Sequence, residues 1–173
     1  NIKNNIEAKF QVKLEYVSGG NSSSLYLLSE EGITEEVNNL RLGESIFLGR
    51  ETAYGNSIFG MHQDCFRLQT ELIEAKSKPS YPIGKIGMDS FGQIPEIEDR
   101  GLMKRGILAI GKQDVDYRNL VPLEDIEIIG ASSDHLLVDL KRDYEIGTIF
   151  NFTINYPGLL QLMTSPYVKK IYI

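Results

Sequence analysis

One short stretch, Ser18-Gly19-Gly20-Asn21-Ser22-Ser23-Ser24, concentrates glycine, asparagine and serine. Glycines let successive backbone N–H groups converge on a point, and the hydroxyls of Ser22 to Ser24 add donors, so the stretch suits an anion. The same composition also makes an ordinary turn. A second stretch, Leu40-Arg41-Leu42-Gly43-Glu44, sets an arginine between two leucines and just ahead of a glycine. A guanidinium in such company needs a partner if it is buried. Tyr81 stands between Ser80 and Pro82, with Pro79 close by. Prolines stiffen the backbone, and a stiff backbone suits a group that has to be held in place; it also suits a tyrosine that merely packs at a turn. His62, Asp64 and Cys65 form a compact polar trio. A metal needs further ligands that the sequence does not supply, so no metal site is expected. His135 beside Asp134 lacks ligand spacing and reads as a structural hydrogen bond.

Periodicity indicates the elements that position these residues. Phe10, Val12, Leu14 and Tyr16 alternate with Gln11, Lys13 and Glu15, which predicts a strand feeding the glycine-serine loop. Leu25 to Leu28 begin a short helix or turn, and Thr34 caps a second whose first residues, Glu35 and Glu36, are acidic. Ile46-Phe47-Leu48 reads as another strand. Strand, loop, short helix, strand is the rhythm of the last βα units of an α/β (TIM-like) barrel. From about residue 60 the pattern becomes antiparallel and all-β. Strands are expected over 66–74, 106–110, 126–129, 136–140 and 148–154, with a closing strand over 168–173. A helix is expected over 157–163, with Pro157 in a tolerated first-turn position. The expected class is mainly β. Residues 1–55 form the barrel portion and 56–173 a C-terminal β domain, with the boundary between Tyr54 and Met61.

The 173 residues are 42% apolar, without a run approaching the ~20 apolar residues of a membrane span. No charged-then-apolar leader precedes a small-residue cleavage site. A single cysteine, Cys65, permits no intramolecular disulfide and fits a reducing compartment, so a soluble, cytoplasmic protein is expected. The net charge of −6, with acids and bases interspersed, argues against nucleic-acid binding. An acidic balance leans towards a cationic small molecule, though it also serves solubility. The first residue is Asn rather than Met, and the chain is expected to be part of a longer protein.

Gly-Asn-Ser-Ser over 20–23, followed some twenty residues on by Leu-Arg-Leu-Gly-Glu over 40–44, resembles the alanine racemase group of fold-type III pyridoxal-phosphate enzymes. The closest likeness is to the ornithine racemase-like branch. It continues through 73–84, through Arg105-Gly106-Ile107-Leu108-Ala109-Ile110-Gly111 to Val115, and through Ile129-Gly130-Ala131-Ser132-Ser133-Asp134-His135 to 162–168. The resemblance implies an N-terminal α/β barrel holding pyridoxal phosphate and a C-terminal β domain. It assigns the cofactor phosphate to Ser22, Gly43 and Glu44, and the pyridine nitrogen to Arg41. A guanidinium only donates hydrogen bonds, so the nitrogen stays unprotonated and the ring becomes a weaker electron sink.

Racemisation needs a base on each face of the α-carbon. In the family the cofactor lysine serves one face and a tyrosine from the partner subunit's β domain the other, which implies a homodimer. Tyr81 is the candidate for that tyrosine. Ser133 and Asp134 match a Ser-Met-Asp strand opening whose backbone helps hold the substrate carboxylate in the partner's site, with Ser133 replacing Met and altering the pocket's polarity. Asp114 and Asp116 fall where the family's loop lines the active-site entrance. There Asp114 could pair with the distal ammonium of ornithine or lysine, or simply be solvated.

No lysine of the chain sits in the family's cofactor context, so the chain alone is expected to be inactive. A β-rich binding or dimerisation module without chemistry of its own is the alternative. A related fold-type III lyase, such as a D-serine dehydratase or D-threonine aldolase, is disfavoured. Those enzymes carry a His and Cys metal site near the C-terminus, and neither residue occurs here after His135.

Overall fold

The computed structural model describes residues 2–28, 32–33, 35–88, 92, 94 and 97–173. The chain divides into two compact units, Asn1–Cys65 and Phe66–Ile173. The division falls about ten residues beyond the 55/56 boundary expected from composition.

The first unit opens with helix α1 (Ile2–Phe10). Lys9 in its last turn suits the negative end of the helix. The helix stops at Gln11, which takes a positive φ of 52°. Strand β1 (Ser18–Asn21) runs straight into a 3-10 turn (Ser22–Leu28). Strand β2 (Asn39–Arg41) returns parallel to β1, with Ser18 opposite Asn39 and Asn21 opposite Arg41. Parallel neighbours require a crossover between them, which is the signature of a βα unit. The side chain of Asn38 fastens the entry to β1: Val17 N–H donates to its Oδ1 at 2.8 Å, and its Nδ2 donates to Glu15 O at 2.8 Å. Helix α2 (Glu44–Leu48) follows and ends at Gly49 in the left-handed conformation.

Several expectations for this unit are corrected. Residues 10–16 form no strand, and Phe10, Val12 and Tyr16 remain exposed. Alternation marks a two-faced segment, but a strand also requires a neighbour, and the pairing here begins only at Ser18. The segment 46–48 is helical rather than extended, and the strand lies earlier, at 39–41. Thr34 lies outside the described residues, and Glu35 and Glu36 form a turn.

The second unit is a six-stranded antiparallel sheet in the order β5-β8-β3-β4-β7-β6. Its strands are β3 (Leu68–Pro79), β4 (Leu102–Leu108), β5 (Leu120–Pro122), β6 (Ile126–Ala131), β7 (Leu136–Leu140) and β8 (Ile149–Ile154). The long β3 has two partners. Its first part pairs with β8, Leu68 opposite Phe152, and its second with β4, Pro79 opposite Leu102. A bulge between Leu72 and Glu74 lies at the changeover. The outer strands β5 and β6 approach each other, so the sheet is nearly closed. Strand β7 buries Leu136, Val138 and Leu140 in strict alternation, as its sequence predicts. These residues meet Leu72, Leu108, Phe150 and Phe152 in one apolar core.

Helix α3 (Tyr156–Thr164) lies where the sequence predicts it. Asn155 caps it by accepting from Gly158 N–H at 3.0 Å, Pro157 occupies the first turn, and Leu159 and Leu162 are buried. The closing strand expected over 168–173 does not form. Val168 packs on the core instead, and Lys170 Nζ donates to the carbonyl of Ser165. No helix among the described residues is long and apolar enough to cross a membrane.

Leu72 sits where β3 changes partners and is fully buried. Leu72→Ala should destabilise the chain by about 2–5 kcal/mol in urea denaturation followed by circular dichroism.

Candidate functional site

Sequence reasoning singled out Ser22, Gly43 and Glu44, and the fold brings the two segments together. Parallel pairing of β1 with β2 sets the ends of both strands side by side. Ser22 begins the turn after β1 and Gly43 precedes α2. Gly43 N–H donates to Ser22 Oγ at 3.4 Å, and Ser45 N–H donates to the same oxygen at 3.3 Å. The Ser45 hydroxyl adds a third contact at 3.1 Å. Glu44 is half-buried between Gly43 and Ser45. Gly20 lets the chain turn into this site. It has a φ of +106°, and a Cβ there would lie 2.9 Å from that of Ser24. Asn21 Oδ1 accepts from the N–H and hydroxyl of Ser23, at 2.9 and 2.6 Å.

Arg41 projects from β2 one strand-width away. It is exposed rather than buried, and its Nη1 donates to Ser18 Oγ at 3.0 Å. One of the five guanidinium N–H donors is thereby used. Behind the cradle lies a carboxylate that sequence reasoning missed. Thr52 N–H holds the carbonyl of Ser22 at 3.3 Å, and Glu51 beside it is buried. Glu51 accepts from the N–H groups of Ala53 (2.8 Å), Tyr54 (3.0 Å) and Asn56 (2.7 Å). Burial pushes the Glu51 carboxyl up, but those backbone donors outweigh it and hold the group below the ordinary carboxylate range. Tyr54 in turn meets Tyr26 edge-to-face, with ring centroids 5.1 Å apart.

The remaining candidates belong to the second unit and fall into two groups. Tyr81 follows the end of β3 and is 45% exposed. The buried Ser80 before it is firmly tied. Its Oγ accepts from Arg100 N–H at 2.6 Å and donates to Asp99 Oδ1 at 3.2 Å, while its N–H donates to Gly101 O at 2.8 Å. Arg105 Nη2 donates to the carbonyls of Pro79 and Ser80 at 3.2 and 3.3 Å. Tyr81 is therefore a partly exposed phenol on an anchored backbone.

The second group gathers beyond the other end of β4. Ser132 to His135 form the exposed turn between β6 and β7, closed by Ser132 N–H donating to His135 O at 2.8 Å. Lys112 N–H and Gln113 N–H donate to the carbonyls of Ser132 and Ser133, at 2.9 and 3.0 Å. At Gly111 a Cβ would lie 2.1 Å from Ser133 O, so only glycine allows this approach. Ser133 and Asp134 are thus brought together with the 111–116 loop. Tyr81 stands apart from them by the length of β4, about 20 Å at the usual strand rise.

Within that loop Asp114 is not solvated. It is 7% exposed, and its Oδ1 accepts from Ser165 Oγ at 2.6 Å. Asp116 caps the short 3-10 turn Tyr117–Asn119, and hydrogen bonds from Arg118 hold its carboxyl below the usual range. His62 and Asp64 are exposed, with 4.0 Å between Nδ1 and Oδ1. No group of three or more metal-binding side chains occurs among the described residues. Replacing Ser165 with Ala leaves the buried Asp114 oxygen without its hydroxyl donor. That should lower stability by about 1–3 kcal/mol, read as a reduced urea midpoint at neutral pH.

No family model matches the chain. It is 50% identical over 98% of its length to an ornithine racemase of Acetoanaerobium sticklandii, and 43% identical over 99% to a lysine racemase of Thermotoga maritima. It spans about half of these curated relatives, 49% of each. Among solved structures, the alanine racemase of Oenococcus oeni aligns with 99% of this chain and 52% of its own, with a TM-score of 0.65 at 21% identity. An alanine racemase of Bartonella henselae, solved with covalently bound pyridoxal phosphate, aligns with 95% of this chain and 46% of its own (TM-score 0.56, 16% identity). The fold is that of the C-terminal β domain of a fold-type III enzyme, preceded by the last βα units of an α/β barrel. Along its whole length the chain is thus similar to about half of an ornithine racemase and of a lysine racemase, and it shares the fold of the corresponding part of alanine racemases.

Proposed function

We propose that the chain is the C-terminal part of a pyridoxal-phosphate-dependent racemase acting on ornithine or another basic amino acid. The observation that carries this reading is the 50% identity to an ornithine racemase along nearly the whole chain. The lysine racemase relative supports the same class of substrate. The composition of the two segments supports a phosphate site: the Ser22 turn and the start of α2, both carrying N–H and hydroxyl donors, meet through contacts on Ser22 Oγ beside an exposed arginine.

In this reading Ser22 and the N–H groups of Gly43 and Glu44 hold the cofactor phosphate. Arg41 keeps donors beyond the one given to Ser18 and directs one at the ring nitrogen. When bound, pyridoxal phosphate supplies the electron sink that makes the α-proton removable. Tyr81 gives or takes a proton at its hydroxyl oxygen, acting in the partner subunit of a homodimer. The anchored Ser80 backbone supports that role, because a proton-transfer group must be held in position. The first base is the family's cofactor lysine, which this chain does not carry in the family's context, so the chain alone is inactive. A cytoplasmic location belongs to the same reading and is supported by a single, unpaired cysteine, Cys65.

Ser133, Asp134 and Asp114 are proposed as substrate-side residues. In this reading they, like Tyr81, serve the partner subunit's site. In the full-length protein, added pyridoxal phosphate should produce the absorption band of the lysine-bound cofactor, and L-ornithine should lose its optical rotation. Absence of both would sink the reading. Tyr81→Phe should then lower kcat by about 10²–10⁴-fold, whereas Ser133→Ala, which keeps the backbone groups of the 132–135 turn, should act on KM and leave kcat close to wild type. The reverse pattern would move the reacting end of the unit to the 132–135 turn.

A further inference from the structure

The Glu51 carboxylate is almost cut off from solvent, at 5% exposure. A buried charge is costly unless hydrogen bonds replace the water it has lost. Backbone N–H groups replace it here. Oε1 accepts from Asn56 at 2.7 Å and Oε2 from Ala53 at 2.8 Å, while Tyr54 N–H reaches both oxygens, at 3.2 and 3.0 Å. Glu51 N–H donates in turn to Asn56 O at 2.9 Å, and Arg50 and Ser57 bridge at the base of the loop. Residues 51–56 are thus wound around one side chain.

That loop meets the turn after β1 at two points. Thr52 N–H donates to the carbonyl of Ser22 at 3.3 Å, and the ring of Tyr54 meets that of Tyr26 edge-to-face. Holding the Ser22 carbonyl holds the backbone that carries its side chain. We infer that Glu51 is a positioning residue: it shapes the 51–56 loop so that Thr52 and Tyr54 keep Ser22 in place for a phosphate monoester. The inference rests on the reading of the Ser22 turn as the cofactor-phosphate site. Glu51 acts through the loop, since both its oxygens are taken up by the loop's own N–H groups.

Glutamine is the discriminating replacement. It keeps the shape of glutamate, but each oxygen of Glu51 accepts from at least one N–H, so the amide NH2 faces a backbone donor whichever way it lies. Aspartate keeps both oxygens on a shorter stem. The test uses the full-length protein and two probes, pyridoxal 5'-phosphate and pyridoxal, which lacks the phosphate. Each is titrated by absorbance into wild type, Glu51→Gln, Glu51→Asp, Tyr54→Ala and Leu72→Ala, at a temperature where circular dichroism shows the protein folded. Glu51→Gln should weaken binding of the phosphorylated probe about tenfold and leave pyridoxal within about twofold. Glu51→Asp should lose less. Tyr54→Ala, which keeps every N–H around Glu51, should weaken the phosphorylated probe about threefold, and it decides the question if Glu51→Gln does not fold. Leu72→Ala lowers stability from the other unit and should leave both affinities unchanged. An unchanged affinity for the phosphorylated probe in Glu51→Gln or Tyr54→Ala would overturn the inference and leave the cofactor reading standing. So would an equal loss for both probes, a loss in Glu51→Asp as large as in Glu51→Gln, or the same loss in Leu72→Ala. A wild type that binds both probes equally would overturn the phosphate reading itself, and this inference with it.

Discussion

A single oxygen atom, Ser22 Oγ, joins the two segments on which the candidate cofactor site depends. The turn after β1 and the start of α2 are about twenty residues apart in sequence, and three hydrogen bonds to this atom hold them in register. Parallel pairing of β1 and β2 makes the contact possible, and Thr52 N–H on the Ser22 carbonyl secures it from behind. The same contacts that satisfy a buried serine set the two donor-bearing segments side by side. The second unit has its own constraint in β3, which must pair with β8 and β4 in succession to close the sheet around Leu72, Phe150 and Phe152.

What could be read from sequence followed the range of the interactions involved. Strands β7 and β8 and helix α3 carry local patterns that tertiary packing reinforces, and they lie where the residues indicate. The alternation at 10–16 is equally clear, but no neighbouring strand pairs with it, so the pattern has no sheet to enter. Ile46 to Leu48 look like a strand because they are apolar, yet the chain takes one turn and a half of helix there and leaves two of them exposed.

The site shows the same division. The glycine-serine loop, Arg41 and Gly43 are legible because donors and glycines are chemically conspicuous. Ser45 and Glu51 are not, since their importance lies in what they face. Asp114 is the clearest case. Its burial depends on Ser165, 51 residues away, and no local pattern could separate a buried carboxylate from a solvated one. The separation of Tyr81 from the 132–135 turn was equally hidden, because it depends on which end of β4 each loop leaves.

The proposed function divides labour within one racemase. In that proposal the barrel-derived unit would supply donors for the phosphate and the ring nitrogen, and the β domain would supply a tethered phenol for the opposite face of the substrate. A crystal structure of the full-length protein with pyridoxal phosphate tests this most directly. The account predicts a phosphate oxygen within hydrogen-bonding distance of Ser22 Oγ and Gly43 N, with Arg41 facing the ring nitrogen. A phosphate bound away from Ser22, with the three contacts still closed on its oxygen, would contradict it.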